Sequence, residues 1–221
     1  MRRPAPQYRG VVFDLDGTLL DTMPGVLEGL ARAVTPYRPR PDRREVLASL
    51  GGPSDVCLFR LLGGRRQVAA ALAAYQHFLE EHEERARLFP GARRLVGDLD
   101  RAGIPLGLWT GRERRLTLAR LRGAGLDRHF DVLVCGDDLA SHKPDPAGIR
   151  RIVRRWKLKP SQVLFVGDTQ QDLDGGRAAG VAVVAIHPDP SLAPPLRGRP
   201  EMTTASPAEA YAWVRAAVLD R

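Results

Sequence analysis

Val11-Val12-Phe13-Asp14-Leu15-Asp16-Gly17-Thr18 decides the fold. A short β-branched run that stops at two acids, a glycine and a hydroxyl reads as a strand followed by a tight polar turn. Working outward, four more apolar runs have the same form: Pro105–Trp109, Asp131–Cys135, Gln162–Val166 and Val181–Ile186. None alternates apolar with polar, as expected for strands covered on both faces. Helical patterns separate them. Residues 91–102 place Leu95, Val96 and Leu99 on one stripe, and residues 112–124 do so with Leu116, Ala119 and Leu121. Residues 146–157 use Ile149, Ile152, Val153 and Trp156, and residues 170–179 form a short helix ending at Gly180. Strand–helix alternation predicts an α/β fold with a doubly wound, Rossmann-like parallel sheet and right-handed crossovers.

One stretch breaks the rhythm. Between Thr22 and Leu88 there is no strand pattern. Helix-like segments lie at about 23–34, 42–50, 54–62 and 66–84, separated by breaks rich in Pro and Gly. The last repeats Val68, Leu72, Tyr75 and Leu79 at helical spacing. The predicted organisation is a core of residues 1–20 and 89–221 with a helical insert at 21–88. The chain re-enters the core near Phe89-Pro90-Gly91. Close to the C-terminus, Ser206-Pro207-Ala208-Glu209 is a helix start, with Ser as N-cap and Pro at the first helical position. Ala210, Trp213, Val214 and Ala217 form its inward set.

Composition excludes several classes. With 43% apolar and 27% charged residues in 221, the chain is globular in composition rather than disordered. No apolar run approaches the ~20 residues of a membrane helix, and the apolar run Val11–Phe13 after Met1–Gly10 is too short for a signal-peptide core. Cys57 and Cys135 lie 78 residues apart without Cys-x-x-Cys spacing, and read as two buried, reduced thiols. A cytoplasmic protein, monomeric or homodimeric, is expected. The net charge of +8 invites a polyanion. However, the excess lies in Arg, 31 against 3 Lys (34 − 3 = 31), and falls on helix exteriors such as Arg150, Arg151, Arg154 and Arg155. Aromatics are 6%, poor for base stacking, and no nucleic-acid recognition motif is present. The reading therefore disfavours nucleic acid.

Ligands of open α/β sheets bind beyond the carboxyl ends of the strands. Following each apolar run to its polar end collects Asp14, Asp16 and Thr18, then Thr110 with Gly111 and Arg112, then Lys143, then Asp168 and Asp172. Four carboxylates on one rim repel one another and drift towards protonation. A hard divalent cation resolves this. Mg²⁺ takes carboxylate oxygens and leaves positions for water and phosphate oxygen. Lys143 supplies a point charge for an anion and Thr110 a hydrogen bond to a phosphoryl oxygen. The set reads as phosphoryl transfer to a carboxylate, with water then breaking the aspartyl-phosphate.

In that order, Asp14–Thr18, the run ending in Thr110, Lys143-Pro144-Asp145-Pro146 and Gly167–Asp172 resemble the four motifs of the haloacid dehalogenase-like hydrolases. The similarity spans nearly the whole chain. Within the family, the helical insert, Phe89-Pro90-Gly91 and the Lys143–Pro146 stretch look like the phosphoglycolate phosphatase-like branch, whose insert is an α-helical cap. The resemblance implies a Mg²⁺-dependent phosphatase of small phosphorylated metabolites. Asp14 would be nucleophile, and Asp16 acid to the leaving oxygen and then base to water. Asp14, the Asp16 carbonyl and Asp168 would be metal ligands, with Asp172 a further ligand or close by. Thr110 and Lys143 would hold the phosphoryl group, with Thr18, Gly111 and Arg112 towards the substrate. Dehalogenase relatives carry no acid at the position of Asp16, because halide leaves without a proton. Asp16 therefore favours phosphate esters.

Other readings carry less. A phosphomutase of the β-phosphoglucomutase type would share the aspartyl-phosphate, and a basic nucleic-acid binder would keep only the scaffold. Members of the phosphoglycolate branch usually carry Asn-Lys where this chain has Gly111-Arg112, and many relatives have a Gly-rich turn where it has His187-Pro188-Asp189-Pro190. In the insert, Gly51-Gly52-Pro53-Ser54 is a flexible turn. Arg60, Arg65 and Arg66 read as solvated surface before they read as substrate contacts. His142 reads as an exposed loop residue, and His77, His82 and His129 have no partners at metal-ligand spacing. Asp21 and Asp174 read as supporting residues.

Overall fold

The computed structural model describes residues 8–49, 54–82, 87–187 and 196–220. Six strands form one parallel sheet: β1 (Gly10–Phe13), β4 (Leu106–Trp109), β5 (Val132–Val134), β6 (Val163–Gly167), β7 (Ala182–Ile186) and β8 (Met202–Thr204). Their order is β5-β4-β1-β6-β7-β8. Counted among themselves in chain order, these strands give the 3-2-1-4-5-6 arrangement of doubly wound dinucleotide folds. β1 lies at the point where the winding reverses. Two further strands of two residues each, β2 (Leu20–Asp21) and β3 (Arg87–Leu88), pair separately.

Alternation along the strands splits the core in two. Val11, Phe13, Leu106, Leu108, Leu164 and Val166 face a cluster completed by α5 (Ala92–Arg101) and α9 (Pro207–Val218). Val12, Trp109, Val163 and Phe165 face the opposite cluster, completed by α7 (Ala147–Trp156) and α8 (Gln170–Ala179). A sheet buried on both faces explains the unbroken apolar strand sequences. The α9 cap is the one the sequence predicts, with the Ser206 hydroxyl accepting from the Glu209 N–H at 3.3 Å.

Three differences from the sequence expectation have physical causes. β8 was not expected, because Met202-Thr203-Thr204 has no apolar run; it pairs along β7 from Val184↔Met202 to Ile186↔Thr204. On α6 (Arg114–Gly123) the stripe is rotated: Thr117, Arg120 and Leu121 are buried, whereas Ala119 is exposed. Hydrophobic periodicity cannot register a buried Arg. On α9, Tyr211 joins Ala210, Val214 and Ala217 inside, and Trp213 is only partly buried.

The described residues divide into two compact units, one running to Asp21 and again from Leu88 onwards, the other Thr22–Arg87. Among its described residues the second unit carries four helices, α1 (Met23–Val34), α2 (Arg43–Ser49), α3 (Ser54–Leu62) and α4 (Val68–Glu81), and ends on Arg87 of β3, a strand the sequence did not predict. Its own core contains Leu27, Leu30, Val34, Leu58, Leu61, Ala71 and Tyr75. At Gly29 α1 packs close against α4; a Cβ there would stand 2.7 Å from Phe78. The turn expected at 51–53 and the ends of the helices expected at 42–50 and 66–84 lie outside the described residues. Cys57 and Cys135 are each buried, and neither is in a disulfide. Among the described residues no helix is long and apolar enough to cross a membrane.

Candidate active site

Parallel register brings the strand ends level. Phe13 is opposite Leu108 on one side and Val166 on the other, and Leu108 is opposite Leu133. The residues after those ends therefore share a rim: Asp14 after β1, Thr110 after β4, Asp168 after β6. Gly17 has φ +77°, and a Cβ there would collide with the Asp168 carboxylate, so only glycine lets this turn pass so close to β6.

Asp14, Asp168 and Asp172 form the core of the site, with one carboxylate oxygen from each lying within 4.8 Å of the others. Lys143 joins two of them, donating from Nζ to Asp14 Oδ1 at 2.8 Å and to Asp172 Oδ1 at 2.6 Å. The Lys143 side chain is 8% exposed, and its ammonium sits 4.9 Å from the Trp109 ring centroid and 5.5 Å from that of Phe165. The two aromatic walls favour a cation there and exclude water. Gly148 on α7 and Gly175 on α8 leave the room that Trp109 fills.

Burial pushes the Asp14 carboxyl up to about 7; Lys143 opposes this, and Asp172 and Asp16 add to it. Burial, then the Asp14 and Asp172 charges, raise Asp168 well above the usual carboxylate range. For Lys143 burial acts downward, but the Asp14 and Asp172 carboxylates outweigh it and hold the ammonium above its ordinary value. The cluster thus carries three acids against one fixed cation (3 − 1), a formal −2 when all are ionised.

Asp172 is the most heavily supported of the three. Its Oδ2 accepts from the Asp168 N–H at 3.2 Å, the Thr169 N–H at 3.0 Å and the Thr169 hydroxyl at 2.6 Å, while Oδ1 takes Lys143. The Asp172 N–H in turn donates to the Thr169 hydroxyl, so the same acid closes the capping box of α8. Asp172 therefore serves both the helix start and the charge cluster.

Asp16 stands apart from this trio. Arg112 grips it with one edge of the guanidinium, Nε donating to Oδ2 at 3.0 Å and Nη2 to Oδ1 at 2.8 Å. Thr18, expected towards the substrate, is fully buried instead; its hydroxyl donates to Asp168 Oδ1 at 3.3 Å. The correction follows from the turn, which folds Thr18 under the rim. Thr110 is buried, with its hydroxyl accepting from the Arg112 N–H at 3.2 Å, while Gly111 is exposed. Asp174 accepts from Gln170, and His142 is exposed. In the helical unit, Arg60 donates to the Ser49 carbonyl at 2.9 Å, and the Arg65 guanidinium lies over Phe59.

Four participants went unread in the sequence. Trp109 and Phe165 looked like strand residues and nothing more. Thr169 carried a readable signal, being a hydroxyl three residues before Asp172 at a helix start. Tyr211 carried none: its hydroxyl donates to the Thr18 carbonyl from 193 residues away.

The sequence model of the haloacid dehalogenase-like hydrolases matches residues 11–186. A phosphoglycolate phosphatase of Shigella boydii serotype 4 is 30% identical over 203 residues, 80% of this chain and 81% of that protein. One from Yersinia pestis is 31% identical over 187 residues, 80% of each chain. Among solved structures, a haloacid dehalogenase-like family hydrolase of Streptococcus pneumoniae has a TM-score of 0.81 at 24% identity, covering 94% of this chain and 98% of that one. At that identity the likeness is one of fold.

Proposed function

The chain belongs to the haloacid dehalogenase-like hydrolases and is a phosphatase, and we propose that it hydrolyses small phosphomonoesters of the phosphoglycolate kind through an aspartyl-phosphate on Asp14. One observation carries the proposal: Asp14 is held by Lys143 beside Asp168 and Asp172, at the carboxyl ends of adjacent strands.

The donor set fits a divalent ion. Its ligands are hard carboxylate oxygens, as Mg²⁺ prefers, and its formal charge of −2 is what a divalent cation balances. Asp14, Asp168 and the Asp16 carbonyl would hold Mg²⁺. Asp172, with its oxygens already engaged, props Lys143 and the α8 start and lies close to the ion. When bound, Mg²⁺ supplies positive charge against the phosphoryl oxygens.

The chain's own residues do the rest. Lys143 orients Asp14, leaves its second oxygen for attack on phosphorus and adds positive charge at the phosphoryl group. Thr110 offers a hydroxyl to the same group. As the Asp14 oxygen bonds to phosphorus, the ester P–O bond breaks and the leaving oxygen takes a proton from Asp16. Asp16 then takes a proton from water, and the resulting hydroxide attacks phosphorus. The bond to Asp14 breaks, which releases phosphate and restores both acids. The helical unit acts as the cap that selects substrates.

Phosphate release from a panel of phosphorylated metabolites, with and without Mg²⁺, tests this. Wild type turns over and EDTA stops it, whereas Asp14→Asn gives background rates with an unchanged circular-dichroism spectrum. Wild-type turnover of p-nitrophenyl phosphate by Asp14→Asn, or full activity without metal, overturns the assignment. Isomerisation of a sugar phosphate with no phosphate released makes the protein a phosphomutase instead.

A further inference from the structure

The pairing of Arg112 with Asp16 sits awkwardly with the proton transfer proposed above. Both oxygens of Asp16 accept N–H donors from a single guanidinium, at 3.0 and 2.8 Å. A carboxylate held in that fork is an acceptor only. To give a proton to a leaving oxygen, one of those oxygens has to turn from the fork towards the ester.

Arg112 is the fixed member of the pair. Its N–H donates to the Thr110 hydroxyl at 3.2 Å, and its carbonyl accepts from the Gly136 N–H at 2.8 Å and the Thr117 hydroxyl at 3.4 Å. Gly136 is packed so closely that a Cβ there would collide with the Gly111 carbonyl. The Arg112 side chain is 10% exposed, against 30% for Asp16. Gly111, which precedes Arg112, is exposed, and among the described residues nothing lies within 4 Å of where a Cβ on it would stand. A guanidinium fork takes any planar carboxylate with the same two bonds, so a carboxylate entering over Gly111 is a chemical equal of Asp16 as its partner.

We propose that Arg112 exchanges partners, passing from Asp16 to a carboxylate carried by the substrate, so that recognition of that carboxylate is what releases Asp16 from the guanidinium fork. The proposal rests on the reading of Asp16 as the residue that moves the proton. It makes Arg112 a specificity-determining residue. A phosphoester bearing a carboxylate replaces both bonds of the fork, whereas an ester without one breaks them with no return.

Two probes separate the arms: 2-phosphoglycolate and ethyl phosphate, which share the phosphoester and differ in the carboxylate. kcat/KM is measured for wild type, Arg112→Leu, Arg112→Lys, Asp16→Asn and the Arg112→Leu/Asp16→Asn double variant, with melting temperatures as fold control. Arg112→Leu is expected to lower kcat/KM for 2-phosphoglycolate by ~10²-fold, because a bidentate charged contact is lost. It is expected to raise the value for ethyl phosphate severalfold, because the two bonds of the fork no longer have to be broken. Arg112→Lys, which keeps the charge without the fork, falls between. In the Asp16→Asn background the rise with ethyl phosphate disappears. A parallel fall for both substrates, or no rise with ethyl phosphate, overturns the exchange. Wild-type rates for Asp16→Asn on both substrates would instead overturn the role of Asp16, whatever Arg112→Leu does.

Discussion

Two ion triads in this molecule are mirror images of each other. In the sheet unit, one cation lies between two acids: Lys143 between Asp14 and Asp172, at 2.8 and 2.6 Å. In the helical unit, one acid lies between two cations: Glu28 between Arg32 and Arg40, at 2.6 Å each. The distances are nearly the same. Side-chain exposure is not: 8, 8 and 1% for Lys143, Asp14 and Asp172, against 37, 58 and 50% for Glu28, Arg32 and Arg40. Coulomb's law at equal distance gives very different energies in wet and dry surroundings. The buried triad binds tightly yet has given up the hydration of three charges, so its stability depends on every member being present. The exposed triad exchanges water for neighbours at little gain. Distance alone says nothing about which triad matters.

Removing the central charge of each is the sharpest way to break the comparison. Lys143→Met leaves Asp14 and Asp172 buried without their cation. We expect it to lose about 3–5 kcal/mol in metal-free buffer at neutral pH, measured by urea unfolding. We also expect Mg²⁺ to recover more stability in this variant than in wild type, because a fixed competitor for the acids has gone. Phosphatase activity is lost even with the metal. A loss below about 1 kcal/mol would mean that water reaches the buried triad and that it behaves like the exposed one.

pH sharpens the contrast from another side. The folded-state value of Asp14, about 7, lies above its ordinary 3.8, and that of Asp168 is raised as well. The folded protein thus binds more protons than the unfolded chain between those values, so this contribution to stability falls as pH rises from about 4 to about 7. Lys143 does not oppose this within the window, because its raised value acts only above its ordinary 10.5. A divalent ion competes with the same protons. The rise in melting temperature on adding Mg²⁺ should therefore be larger at pH 8 than at pH 5.5. Equal shifts at the two values would separate the metal from these acids.

A smaller effect is expected at Tyr211. Burial holds its phenol above the ordinary range, and its proton is committed to the buried Thr18 carbonyl. Tyr211→Phe strands that carbonyl and should cost about 1–3 kcal/mol in urea unfolding. Because Thr18 in turn supports Asp168, the Mg²⁺ concentration for half-maximal activity should rise as well. An unchanged metal requirement would confine Tyr211 to packing.

These residues also mark how far the sequence could be read. Asp14, Thr110 and Asp168 were legible because each immediately follows an apolar run, and parallel register brings such ends level. The doubly wound sheet followed from the same runs. Lys143 was read from the same kind of run but at a greater distance, since it follows β5 only after an eight-residue loop. What stayed hidden depended on direction rather than order. The sequence gives no sign that Thr18 turns inward or that Arg112 points at Asp16 across 96 residues. Nor could periodicity find Tyr211, Arg120 or β8, where polar residues are buried or no apolar run exists.

The exposed triad is the control for the whole comparison. Arg32 and Arg40 hold Glu28 below the ordinary glutamate range through their hydrogen bonds, although all three side chains stand in solvent. That depression would by itself contribute stability present above the unfolded value near 4.5 and lost as pH falls through the lower folded value. Exposure discounts it. Solvent screens the charges, two long Arg side chains lose rotamer freedom, and salt weakens what remains. Glu28→Gln should therefore change stability by about 0.2–1 kcal/mol at low ionic strength, and by less than can be measured in 1 M salt. Lys143→Met should keep most of its effect in the same salt, because ions do not reach charges that are less than a tenth exposed. If salt erased both effects alike, burial would not be what distinguishes the triads, and the dry catalytic cluster inferred around Asp14 would lose its physical basis.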